Sequence, residues 1–179
     1  IRDRGKLSLF GRLGVSIARR IGLTANATRV AQLTHVYMPI GKRIVVLGGG
    51  LVGIELAEFL VDRGREVTVL EEGPTMAVEM AHPRRWRVLE DLRNHGADLR
   101  TDVTVEAIDD DGVRVRSGDG SQSIAADHVV VATGLVADES VADAFRAAGV
   151  DPVVVGDCTG VGYIEGAIAE GFHAGLAVG

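Results

Sequence analysis

An α/β protein with a parallel sheet, one of whose crossover helices is replaced by a β-meander, is predicted by three stretches of the chain. The first is IVVLGGGLVGIELAEFLVDRGREVTVLEEG, residues 44–73, which reads as strand, glycine-rich turn, helix and second strand. The second is VTVEAIDDDGVRVRSGDGSQSIAADHVVVATG, residues 103–134, a run of short strands with no helix between them. The third is VVVGDCTGVGYIEGAIAEG, residues 153–171, a short apolar strand leading into a helix rich in Gly and Ala.

In chain order, residues 1–41 form a helical arm or linker. Leu9, Leu13, Ile17 and Ile21 recur at helical spacing, a second short helix runs from Asn26 to His35, and Pro39 with Gly41 ends the pattern. The arm packs on a neighbouring domain, docks a partner subunit, or lies on a membrane surface with Arg12, Arg19 and Arg20 on its polar side; its glycines weigh against the last. Residues 42–150 form the main domain. Ile44–Leu47 reads as a wholly apolar strand. A helix follows over Leu51–Arg63, stopped by Gly64, and then the branched strand Glu66–Leu70. After a loop over residues 72–83, a helix over Arg84–His95 places Trp86, Leu89 and Leu92 along one side, and Gly96 stops it. Asp98–Arg100 is a third parallel strand. The meander then turns at Asp111-Gly112 and Asp119-Gly120 and returns through Val129–Val131. Residues 138–148 are helical. Residues 151–179 supply a last strand, Val153–Val155, and a last helix from Tyr163 to Ala177.

Bulk properties narrow the partners. With 46% hydrophobic and 25% charged residues the chain has the composition of a folded globular protein, so its 24 glycines mark turns and close approaches rather than disorder. A net charge of −6 argues against a nucleic-acid partner, whose phosphates call for Lys and Arg. No apolar run reaches the roughly 18 residues of a membrane-crossing helix, so no membrane partner is expected. Cys158 stands alone, which excludes an internal disulfide, a CxxC redox pair and a Cys-rich metal site, and suits a cytoplasmic setting. The five histidines show no metal-ligand spacing, and no Tyr-x-x-x-Lys pair of short-chain dehydrogenases is found.

Chemistry concentrates at the first turn. Gly48, Gly50 and Gly53 match G-x-G-x-x-G between an apolar strand and a helix. Gly48 permits the sharp turn, Gly50 lets a pyrophosphate approach the backbone, and Gly53 lets helix and strand lie close. With Gly49, Leu51 and Val52 they present amide N–H groups at a helix start, where an anion is favoured. Glu71, or Glu72 beside it depending on strand register, closes the second strand and is placed to accept both hydroxyls of an adenosine ribose. A carboxylate there repels a 2′-phosphate, so NAD(H) is favoured over NADP(H). Arg84, Arg85 and Arg87 serve either as phosphate partners or as a solvated basic helix face. A methyltransferase also uses a glycine-rich turn and an acid after the second strand, but the meander and the following Ala-Thr-Gly do not suit it.

Three stretches together resemble the flavin-dependent pyridine nucleotide reductases: GGGLVGIELAEFL, VVVATG at 129–134, and VVVGDC with the helix after it. The fold this implies is Rossmann-like and FAD/NAD(P)-binding, with an NAD-binding domain inserted into a split FAD-binding domain. GKRIVVLGGGLVG, MAHPRRWRVLEDLRNHGA and YIEGAIAEGFHAG resemble most the C-terminal half of the NADH:flavin oxidoreductases similar to 2,4-dienoyl-CoA reductase and trimethylamine dehydrogenase. The resemblance implies that the chain re-enters the FAD domain through Gly156-Asp157, with Asp157 toward the FAD ribityl or phosphate region and the helix start after Gly162 toward the flavin. Thr133 and Gly134 fall at the turn where chain and dinucleotide come close, and Glu55 at the acidic position facing the nicotinamide. The same resemblance calls for a flavin domain opening with its own glycine-rich strand before residue 41, and in this branch for an FMN barrel and a Cys-rich iron–sulfur motif. None of these is encoded here, so a C-terminal piece of a larger flavoenzyme is expected, with FAD shared with residues absent from this chain. Two roles follow: hydride transfer between nicotinamide and flavin, or a non-catalytic ADP- or NAD-binding module of such an enzyme.

Overall fold

The computed structural model describes residues 28, 32, 34, 35, 37–118 and 120–178. Most of the predicted arm and Asp119 of the second predicted turn lie outside the described residues; Thr28, Gln32, Thr34 and His35 are helical, as expected for the second short helix. The chain divides into two compact units with the border between Ala132 and Thr133.

The first unit is built on a four-stranded parallel sheet in the order β3-β2-β1-β7, with β1 Arg43–Leu47, β2 Glu66–Leu70, β3 Asp98–Arg100 and β7 His128–Val131. Alternation along β1 sends Ile44 and Val46 to one face and Val45 and Leu47 to the other. All four are buried, because each face is covered. On one side lie α1 (Leu51–Asp62) and α2 (His82–Asn94), which bring Ile54, Ala57, Leu60, Val88 and Leu92 into the core with Val67 and Val69. On the other lies the antiparallel meander β4 (Thr104–Asp109), β5 (Gly112–Ser117) and β6 (Gly120–Ala125), whose Val113 and Val115 pack with Val45, Leu47 and Leu70. The predicted exchange of a crossover helix for a meander is therefore what covers the second face.

Several local expectations change. Trp86 is 67% exposed, and Val88 and Leu92 are the residues α2 buries. At about 100° per residue, Trp86 and Leu92 stand roughly 240° apart around the helix, whereas Val88 and Leu92 are nearly in line. The helix also starts at His82, earlier than Arg84, with Pro83 in its first turn, where a missing N–H costs nothing. The first meander turn is carried by Asp110 and Asp111, because Asp109 pairs with Gly112 and its Oδ1 accepts the N–H groups of Asp111 and Gly112, each at 3.1 Å. Gly112 is already strand, with φ 148°, and a side chain there would run into the Ile124 carbonyl of β6.

The second unit contains α3 (Ser140–Ala147) and α4 (Tyr163–Val178). Val153–Val155 is not a strand: it joins no ladder among the described residues, and Val153 is 69% exposed. Without a neighbouring strand to take its N–H and C=O groups, an apolar sequence alone does not make one.

Candidate nucleotide-binding site

β1 ends against β2, and the Gly48 N–H donates to the Leu70 carbonyl at 2.8 Å. Gly48 then turns at φ 99°, a left-handed conformation that suits glycine. Gly50 precedes α1 in an extended conformation and accepts the Ile54 N–H at 3.0 Å, the first helical bond. A side chain on Gly53 would collide with the Gly48 carbonyl, so its glycine lets α1 lie on the strand that feeds it. Beside the turn, Cβ atoms at Gly49 and Gly50 would come within 2.9 Å of Met76 and 3.0 Å of Glu79. These glycines shape a backbone-lined cradle, and the first N–H groups of a helix have no partners within it.

Glu71 is the acid that faces this turn. Its Oε2 accepts the Gly49 N–H at 2.6 Å and its Oε1 accepts the Gly73 N–H at 2.9 Å. The two bonds fix a half-buried carboxylate against the glycine loop. An ionised carboxylate has about four acceptor sites, so each oxygen keeps capacity for one more donor. Glu72 is exposed, and register thus assigns the facing position to Glu71.

The loop after β2 supplies residues that the sequence reading left unassigned. The Ala77 N–H donates to the Gly49 carbonyl at 2.7 Å, and Glu79 Oε2 accepts the Leu51 N–H at 3.1 Å. Ala77 is fully buried at φ 52°, an uncommon conformation for a residue with a side chain. Nothing in the spacing of GPTMAVEM announces this, since it depends on how the loop folds back.

The arginines divide. Arg84 pairs with Glu58 at 3.3 Å and Glu55 at 3.7 Å across the two helices, and lines a shallow groove with Arg87 and Asp91. Arg85 donates from Nε to the Met76 carbonyl at 2.8 Å and so braces the loop. Asp127 is a second unforeseen anchor. Its Oδ2 accepts the N–H groups of Lys42 and Arg43, and its Oδ1 lies 2.6 Å from Arg43 Nη2. The hydrogen bond from Arg43 lowers its carboxyl from 3.8 to about 2.

In the second unit, Thr133 and Gly134 are exposed, Gly134 at φ 132°. Gly156 turns at φ 83° and donates its N–H to Glu170 Oε2 at 2.6 Å. Asp157 Oδ1 accepts the Gly162 N–H at 2.9 Å and closes the loop that leads into α4. The Cys158 thiol is turned to the Val155 carbonyl. Among the described residues no group of His, Cys, Asp and Glu is arranged to hold a metal, and no helix is long and apolar enough to cross a membrane.

This geometry agrees with what the chain is similar to. Residues 14–152 match the pyridine nucleotide-disulphide oxidoreductase family. The chain belongs to that family. It is 35% identical over 143 residues to bilirubin reductase of Mediterraneibacter gnavus (strain CC55_001C), covering 79% of this chain and 22% of the relative. It is 34% identical over 135 residues to NADH oxidase of Thermoanaerobacter brockii, covering 74% and 21%. Among solved structures, a complex of 2-naphthoyl-CoA reductase superposes with a TM-score of 0.67 at 34% identity, over 75% of this chain and 21% of that one. Histamine dehydrogenase from Rhizobium sp. 4-9 shares the fold, with a TM-score of 0.64 at 19% identity over 80% of this chain and 24% of that one. The resemblance to flavin-dependent pyridine nucleotide reductases, and to the branch similar to 2,4-dienoyl-CoA reductase, is borne out by these relatives. The chain spans about a fifth of the length of both curated relatives.

Proposed function

We propose that the first unit is the pyridine-nucleotide-binding part of a larger cytoplasmic flavin-dependent oxidoreductase and that it takes NADH in preference to NADPH. The observation that carries this is Glu71, held by the Gly49 and Gly73 N–H groups beside the glycine turn. Gly48 to Gly53 seat the diphosphate, with the Leu51 and Val52 amides at the start of α1 facing its charge. Glu71 uses its remaining acceptor capacity for the two ribose hydroxyls and excludes a 2′-phosphate by repulsion. When bound, nicotinamide and flavin supply the hydride chemistry; this chain binds, orients and shields them. In the second unit Thr133, Gly134, Gly156 and Asp157 are assigned to the dinucleotides, Asp157 and the start of α4 to FAD. The larger parent is supported by the short share of each relative that this chain spans, and the FAD partner by the family.

Calorimetric titration of NADH, NADPH and ADP onto the full chain and its Glu71→Ala variant tests the reading. NADH is expected to bind more tightly than NADPH to the unaltered chain, and the variant to lose more affinity for NADH than for NADPH. Equal losses for the two refute the ribose assignment. ADP binding as tightly as NADH in the flavin-loaded parent favours the non-catalytic module instead.

A further inference from the structure

The glycine turn is met by a carboxylate of the chain itself. Glu79 Oε2 accepts the Leu51 N–H at 3.1 Å, and Oε1 stands 3.0 Å from where a side chain on Gly50 would begin. This is the first amide of α1 and the closest point of backbone approach, which are the features expected of a diphosphate seat. We propose that Glu79 is an internal counter-anion that occupies the seat until a dinucleotide displaces it, so that the loop after β2 sets the cofactor concentration at which the site fills. The inference rests on the reading of Gly48–Gly53 as that seat.

The loop is built to bring the carboxylate back to the same place. Its backbone docks on the turn through the Ala77 N–H and the Gly49 carbonyl at 2.7 Å. Met76, Ala77 and Met80 are buried, and Arg85 holds the Met76 carbonyl at 2.8 Å. Between these anchors Val78 and Glu79 are exposed. The Glu79 side chain therefore swings away by rotation about its own bonds, with the anchors left in place. A phosphate oxygen and a carboxylate oxygen cannot share one N–H at hydrogen-bond distance, and their charges repel. Binding must proceed from the open fraction of molecules, and the apparent affinity falls by that fraction. Glu79 comes from a loop 28 residues beyond the amide it meets, so it is not a local cap of the kind found at the residues flanking a helix start.

The test is calorimetric titration of ADP onto the full chain and three variants, with far-ultraviolet circular dichroism to confirm the fold of each. Glu79→Gln removes the charge and keeps an acceptor; Glu79→Ala removes both. Glu90→Gln removes the same charge from an exposed position on α2. A carboxylate at an exposed helix start is worth enough to hold back binding by about two- to fivefold, so both Glu79 variants are expected to bind ADP tighter by that factor. Glu90→Gln is expected to match the unaltered chain. ADP binding to the Glu79 variants no tighter than to the unaltered chain overturns the inference. So does an equal gain in Glu90→Gln, which assigns the effect to overall charge. Failure of every form to bind ADP overturns the seat itself, and the gate with it.

Discussion

Gly53→Ala puts the packing of the glycine turn to the most direct trial. The new methyl carbon would lie 3.0 Å from the Gly48 carbonyl carbon and still nearer its oxygen, with Val46 Cγ1 at 3.5 Å behind. The obstacle is backbone, so no rotamer change relieves it. To reach ordinary contact, α1 must recede from the end of β1 by more than about 1 Å. Overpacking of a well-filled interior costs about 1–3 kcal/mol, and a backbone clash belongs at the upper end. For a chain of this size about 2–3 kcal/mol lowers Tm by roughly 4–12 °C. The same shift carries the Leu51 and Val52 amides away from the proposed diphosphate seat, so ADP affinity is expected to fall at least tenfold, or about 1.4 kcal/mol. Gly171→Ala is the matched control, in α4 with nothing within 4 Å. There the same chemical change is expected to raise stability by about 0.5–1 kcal/mol, because glycine inside a helix is the poorer residue. Differential scanning calorimetry and ADP titration read both. A Gly53→Ala chain with unaltered Tm and unaltered ADP affinity refutes the account of the turn.

Two further outcomes are expected. Asp127 has its carboxyl lowered from 3.8 to about 2 by Arg43, so the stability it contributes is present above about pH 4 and is lost as pH falls toward about 2. Acid titration of chemical denaturation should show that decline in the unaltered chain and a shallower one in Asp127→Asn; identical slopes refute the link across the entry to β1. On α2, Leu92→Ala should cost about 2–5 kcal/mol by leaving a cavity, whereas Trp86→Ala should change stability by no more than about 0.5 kcal/mol. Urea unfolding checks the pair, and the reverse order would restore Trp86 to the core.

Much of the site was legible because it is local. Gly48, Gly50 and Gly53 are read from spacing within one turn, and the acidic pair Glu71 and Glu72 from its place at the end of an apolar strand. Trp86 departs from the expected apolar side of α2 because it points about 120° the shorter way around the helix from Leu92, away from the core. The branched apolar residues Val153–Val155 favour a strand, yet a strand exists only with a partner along its edge, and none pairs with them among the described residues. Glu79 and Asp127 carry no signal in the sequence. Each meets amide groups far away in the chain, at 28 and 84–85 residues of separation, and no local pattern encodes such a meeting.

By itself the order of residues determined the strand, turn, helix and strand of the first unit, the meander that replaces a crossover helix, and the identity of the glycine cradle. These depend on periodicity and on steric limits within a few neighbouring residues. Only the tertiary structure decided that Glu71 rather than Glu72 faces the turn, that a buried, left-handed Ala77 folds the following loop back across it, and that Glu79 rests on the first amide of α1. Those are matters of distance between segments, set by how buried side chains on both faces of the sheet fill space, and they follow from packing rather than from any single stretch of sequence.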